Sequence, residues 1–203
     1  MESAKIASLI DFVKESTKHF DSSHNHEHAE KVYSNTMTII NSMYQNKDYD
    51  EELITFAALL HDVRDHKYPE SISEEKMNKF IFENVGEEKG RKANKFSQSL
   101  KIPDFPENLK PYLTALRDAD RLEAIGQIGI ERCVQFNVSH GYKYPEDVVQ
   151  HCHDKLLRIF TEHFIVTEMG RKLAEPLHQD IVDFVKICEE GNHPPVSQFI
   201  TAP

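Results

Sequence analysis

The 203-residue sequence has no tryptophan, only seven glycines, three cysteines and no excess of positive charge. So few glycines, with no low-complexity tract, exclude a fibrous or disordered chain and leave a soluble globular composition. The cysteines, Cys133, Cys152 and Cys188, are odd in number and far apart. That pattern fits reduced thiols better than a disulfide framework or a zinc ribbon. A formal net charge of −10 argues against general nucleic acid binding, where clustered Lys and Arg supply the affinity. A small anionic substrate stays compatible, because a bound metal and a few local cations override global charge. No apolar run is long either. The longest, residues 53–60 interrupted only by Thr55, falls far short of the roughly 20 residues of a membrane span. The opening MESAKIASLIDFVKES lacks the basic leader and apolar core of a secretory signal, so a cytoplasmic protein with no membrane partner is expected.

Strand signals are missing too: no alternating run of β-branched residues reaches five, whereas helical spacing is nearly continuous. Ile6, Leu9, Ile10 and Val13 mark one stripe, and Val32, Thr36, Ile39, Ile40 and Met43 a second. Residues 53–60 are apolar on every side, as in a helix buried mid-bundle. A box from Ser71 to Glu74 predicts the cap of a helix carrying Met77, Phe80 and Ile81. Further helices are expected over residues 87–100, from Tyr112 through Ile125 or beyond, over 147–160 and over 168–189. KIPDFPENLKP and SHGYKYPED are expected as loops, with at most one turn in the first. Pro176 should kink or break the last helix. No linker divides the chain, so the expectation is an all-α, single-domain helical bundle over 1–203, with its core near 20–190 and an irregular tail from 191.

Against that background, the apolar run 53–60 ends at His61 and Asp62, two side chains that are costly to bury without partners. Upstream, DSSHNHEHAEKV sets His24 and His28 one turn apart on one helical face. Downstream, LRDADRLEAIGQIGIER places Asp118 and Asp120 before an apolar stretch, with Arg121 adjacent. A histidine, a His-Asp pair and a distant aspartate supply two imidazoles and two carboxylates for one divalent ion. Such a mixed set suits Mn, Fe, Co, Ni or Zn, and Mg less readily.

In order and spacing, SHNHEHAEKV, AALLHDVRD, DADRLEAIGQIGIER and HCHDKLL resemble the HD superfamily of metal-dependent phosphohydrolases, more narrowly its small stand-alone members. The likeness spans roughly residues 20–190 and implies a helical bundle of the HD-domain type. It implies His28, His61, Asp62 and Asp120 as ligands of a divalent metal (Mn, Co, Ni, Fe, Zn or Mg). His28 is preferred to His24, and Asp120 to Asp118, by position in the motifs. Asp62 and Asp65 are the implied catalytic carboxylates, Asp65 orienting or deprotonating water if the helix carries it onto the face of His61. Lys31, Arg64, Arg121, His151 and Lys155 are the candidate phosphate-binding groups, and Tyr142 and Tyr144 could cover a base or sugar. Asn25, Lys31 and Glu123 depart from the family pattern of Asp, Arg and Asp. The activity implied is hydrolysis of a small phosphorylated substrate, most readily a nucleotide, by triphosphate pyrophosphohydrolysis or phosphate removal. A cyclic-nucleotide or cyclic-dinucleotide phosphodiesterase, with His24, His26 and His66 available to a second metal, and a non-catalytic nucleotide sensor are the alternatives.

Overall fold

The computed structural model describes residues 3–21, 24–44, 46, 48–98 and 106–200, and among them there are helices and turns but no strand. The chain divides into two compact units, residues 1–119 and 120–203. The first holds α1 (Ser3–Thr17), α2 (His26–Met43), α3 (Glu51–Leu59), α4 (Glu74–Val85) and α5 (Glu87–Gln98). After a 3-10 turn at Glu107–Leu109, α6 (Lys110–Leu122) runs to the division and three residues past it.

Helix α3 is the centre of the first unit. Every residue from Leu53 to Leu59 is buried, and α3 packs against α1, α2 and α5. Leu9 and Val13 of α1 and Val32, Thr36, Ile39 and Ile40 of α2 are buried as their spacing predicts. Met43 departs from its stripe, 40% exposed at the last residue of α2. Phe80 of α4 stacks on Phe12 at 3.8 Å between ring centroids. The predicted cap of α4 is corrected by two residues. Ser73 accepts from the Lys76 N–H at 3.2 Å, while Ser71 donates its hydroxyl to the Asp65 carbonyl at 2.6 Å. The α4–α5 turn uses Gly86 at φ +77°, a conformation side chains resist. Residues 99–105, where the first proline-containing loop was expected to begin, lie outside the described residues.

The second unit holds α7 (Gly126–Ser139), α8 (Glu146–His151), a π turn (Cys152–Leu156), α9 (Leu157–Thr161) and α10 (Glu168–Glu189). Here α7 packs on α8 and α10, and α10 also meets α9 and the π turn. The expected helix over 147–160 is realised with one widened turn, in which the Leu157 N–H bonds back to the Cys152 carbonyl. Helix α10 runs unbroken through Pro176. Residues 191–200 are irregular apart from a 3-10 turn at Val196–Gln198, and they are pinned. Phe199 is buried against Phe184, and its carbonyl accepts from Gln135 at 2.7 Å.

Candidate metal centre

Two chain segments of the first unit build the site. Asn25 caps α2, its side-chain oxygen accepting the His28 N–H at 3.1 Å. This fixes His28 on the first helical turn, 4% exposed, on the face it shares with Val32. The second segment is the end of α3. The helix stops at Leu59 with Leu60 as its C-cap, leaving carbonyls that need donors. His61 supplies one. Its Nδ1 lies 2.7 Å from the Ala58 carbonyl oxygen, which can only accept, so Nδ1 carries a proton and Nε2 is the ring nitrogen that can ligate a cation, giving up any proton of its own as it does so.

That Nε2 lies 3.3 Å from His28 Nε2 and 3.2 Å from Asp62 Oδ2. The third side of the triangle, His28 Nε2 to Asp62 Oδ2, is 3.5 Å. About 3 Å is the separation of ligand atoms that each sit roughly 2.0–2.2 Å from one ion. Burial would raise the Asp62 carboxyl, but the charge of His61 and hydrogen bonds from His28 and His61 outweigh it. The net effect holds the group well below the ordinary carboxylate range. Two imidazoles and an anionic carboxylate, packed at the inner end of an apolar helix, fit a divalent cation in donor type and spacing.

Asp65 arrives here by a route other than the one expected. The helix does not continue past Leu59. Residues 60–65 form turns, with the Val63 N–H bonding the Leu60 carbonyl and the Asp65 N–H the Asp62 carbonyl. Shared helical face is therefore not what places Asp65. Its carboxylate is held by the Lys67 N–H at 2.9 Å and faces His24 Nε2 at 3.7 Å and Lys67 Nζ at 3.5 Å. His24 precedes α2 and contacts Tyr68, a residue that sequence reasoning passed over. His66 is largely exposed beside Asp65, and His26 is half-buried at the first position of α2.

The remaining predicted groups are distributed as follows. Lys31 is exposed on α2, and Arg64 pairs with Glu74 at 3.4 Å. In the last turns of α6, Asp118 is fully buried and Asp120 half-buried. Arg121 donates to the Phe164 carbonyl and lies over the Phe164 ring, 5.9 Å from its centroid. His151 closes α8 and is half-buried, its pKa lowered by burial and then by the Lys155 charge; Lys155 is exposed on the π turn. Tyr142 is 54% exposed, whereas Tyr144 donates to the Pro194 carbonyl at 2.6 Å and fills the edge of the second unit's core.

An all-helical fold with this His-His-Asp centre defines a metal-dependent hydrolase. Comparison with known proteins makes the class specific. The chain is 30% identical to YpgQ of Bacillus subtilis over 148 residues, 68% of this chain and 71% of that protein. A crystal structure of YpgQ in complex with ADP superposes with a TM-score of 0.73 at 24% identity, covering 93% of this chain and 95% of that one. An HD-superfamily hydrolase from Bacillus thuringiensis gives a TM-score of 0.72 at 25% identity, over 96% of this chain and all of that one. No model of a protein family matches the chain. The chain belongs to the HD superfamily of metal-dependent phosphohydrolases. Among the described residues no helix is long and apolar enough to cross a membrane.

Proposed function

We propose that this phosphohydrolase acts on a nucleotide, as a nucleoside triphosphate pyrophosphohydrolase or a nucleotide phosphatase. The convergence of His28, His61 and Asp62 carries the hydrolytic reading, and the nucleotide class rests on YpgQ, a relative solved with ADP. His28, His61, Asp62 and Asp120 are the proposed ligands of one divalent ion drawn from Mn, Co, Ni, Fe, Zn and Mg. A bound ion of this kind acidifies water and polarises a phosphoryl oxygen.

The chain's own residues do the rest. His61 is locked by the Ala58 carbonyl in the tautomer that leaves Nε2 free to ligate. Asp62, held anionic, balances the cation's charge. Asp65 orients the attacking water and takes its proton as a general base. Lys31, Arg64, Arg121, His151 and Lys155 are the groups proposed to bind phosphate and to offset charge as the phosphoryl group transfers.

The test is a screen for phosphate and pyrophosphate release. Metal-stripped protein is supplied with Mn, Co, Ni, Mg or no metal and with nucleoside mono-, di- and triphosphates and cyclic nucleotides, the nucleotide products being separated by chromatography, alongside His61→Ala/Asp62→Ala protein. The expected result is metal-dependent release that the double variant lacks. Release by the double variant at the wild-type rate would refute the site, and turnover confined to cyclic nucleotides would replace the substrate class.

A further inference from the structure

Beside the metal centre, in the same unit, lies a chain of polar contacts that the proposed reaction does not yet use. The Tyr68 hydroxyl donates to Asp21 Oδ2 at 2.6 Å and lies 3.0 Å from His24 Nδ1. A phenol has one proton. Because it is given to Asp21, the contact with His24 requires Nδ1–H to donate to the phenol oxygen, which puts the bare nitrogen at Nε2. That nitrogen faces Asp65 Oδ2 at 3.7 Å. The Tyr68 ring is clamped against Phe20, with centroids 4.0 Å apart and planes 12° apart, and meets His24 edge-on at 5.6 Å. Exposure falls along the chain, from 61% at the Asp21 side chain through 22% at His24 to 11% at Asp65.

We infer that Asp21, Tyr68 and His24 form a track between solvent and Asp65, and that Tyr68 is a positioning residue that sets the tautomer of His24. The inference rests on the role proposed for Asp65. In turnover a water O–H bond breaks and an Asp65 O–H bond forms. The proton then passes to His24 Nε2, the Nδ1 proton passes to the Tyr68 oxygen, and the Tyr68 proton passes to the exposed Asp21 carboxylate and on to solvent. One proton enters and one leaves, which inverts the His24 tautomer; the starting form returns when Nε2 gives its proton to solvent, the Tyr68 hydroxyl swings back to Asp21 and Nδ1 takes a proton from solvent, His24 being 22% exposed. The loops before α2 and after α3 are thereby joined through the Tyr68 side chain.

Tyr68→Phe removes the hydroxyl and keeps the ring that stacks on Phe20. With Mn2+ and p-nitrophenyl phosphate as probe, alongside the nucleotide found by the screen, kcat should fall by about tenfold at unchanged KM, a share of the roughly 10²–10⁴ that general base catalysis supplies. Combined with Asp65→Asn, it should cost no more than Asp65→Asn alone, because both act on one proton path. The tautomer is read without turnover, from imidazole 15N shifts of the full chain with Mg2+: the Nδ1–H form of His24 should dominate in the wild type and lose its preference in Tyr68→Phe. An unchanged kcat, full additivity, or an Nε2–H form in the wild type would each overturn the track. If Asp65→Asn alone retains full turnover, the role of Asp65 fails first and the track falls with it, whereas loss in Asp65→Asn with none in Tyr68→Phe rejects the track only.

Discussion

Replacing Asn25 tests whether a cap on α2 is what sets the first of the proposed metal ligands, His28. Asn25 has extended backbone (φ −77°, ψ −179°), accepts the His28 N–H on its side chain and accepts the Ala29 N–H on its carbonyl. Asn25→Ala deletes the first of these bonds and keeps the second. The usual cost of losing such a cap is about 1 kcal/mol, with a range of roughly 0.5–2. For a chain of this size that corresponds to a Tm lower by about 2–4 °C. Asn25→Asp keeps an acceptor of the same shape and adds a negative charge at the helix N-terminus, which contributes about 0.3–1 kcal/mol in its favour. The Ala variant should therefore melt below the wild type and the Asp variant at or above it. Fraying of the first turn also releases His28, so Mn2+ should bind the Ala variant more weakly, by about tenfold for an outer support of this kind. The assays are urea and thermal unfolding with and without Mn2+, and calorimetric titration of the metal. If all three proteins melt together, or the Asp variant melts as low as the Ala variant, the cap does not hold α2 and the account of His28 fails with it.

Two further outcomes follow from buried and paired groups. Glu52 is raised by burial but lowered more by hydrogen bonds from Lys5 and from Lys89, the latter at 2.8 Å, and its net pKa lies below the ordinary 4.5. A depressed folded pKa gives stability that is complete above the unfolded value and lost as pH falls through the folded one; wild type should lose more stability than Glu52→Gln between pH 6 and pH 3, and parallel curves would reject the pairing. Cys133, Cys152 and Cys188 are buried and unpaired by disulfides, with burial pushing Cys188 up to about 11. Ellman's reagent should find almost no thiol in the native protein and three in guanidinium, and rapid native labelling would contradict that packing.

The helical bundle was legible because its information is local and repetitive. Val32, Thr36, Ile39 and Ile40 announce the buried face of α2 by spacing alone, and residues 53–59 announce α3 by having no polar face. The errors fall where a distant contact decides. Ser71 and Ser73 are equal candidates as a cap, and the choice is made by the Asp65 carbonyl, which takes the Ser71 hydroxyl. The π turn at Cys152–Leu156 likewise has no periodic signature, since it inserts a single residue into an otherwise helical pattern.

The candidate centre was legible for a different reason: few residue types ligate divalent metals at neutral pH, so His28, His61 and Asp62, which the structure brings together, stand out by chemistry. Their support did not stand out. An Asn three residues before His28 is a recognisable capping signal, yet as a departure from an aspartate it drew attention to its missing charge instead of to the acceptor it retains. The end of α3 had no such signal. A histidine closing on the carbonyl of Ala58, three residues back, is compatible with a continuing helix or a turn until the geometry is known. That ambiguity hid Tyr68. On a helix running past Asp65 it would sit one turn further along, whereas the real turns fold it back onto Phe20 and His24. Candidate ligands are thus written in residue type, while the groups that face Asp65 are written in where the chain stops being helical. The Tyr68→Phe and Asn25→Ala proteins separate those two layers, since each keeps every proposed ligand residue and removes only hydrogen bonds behind it.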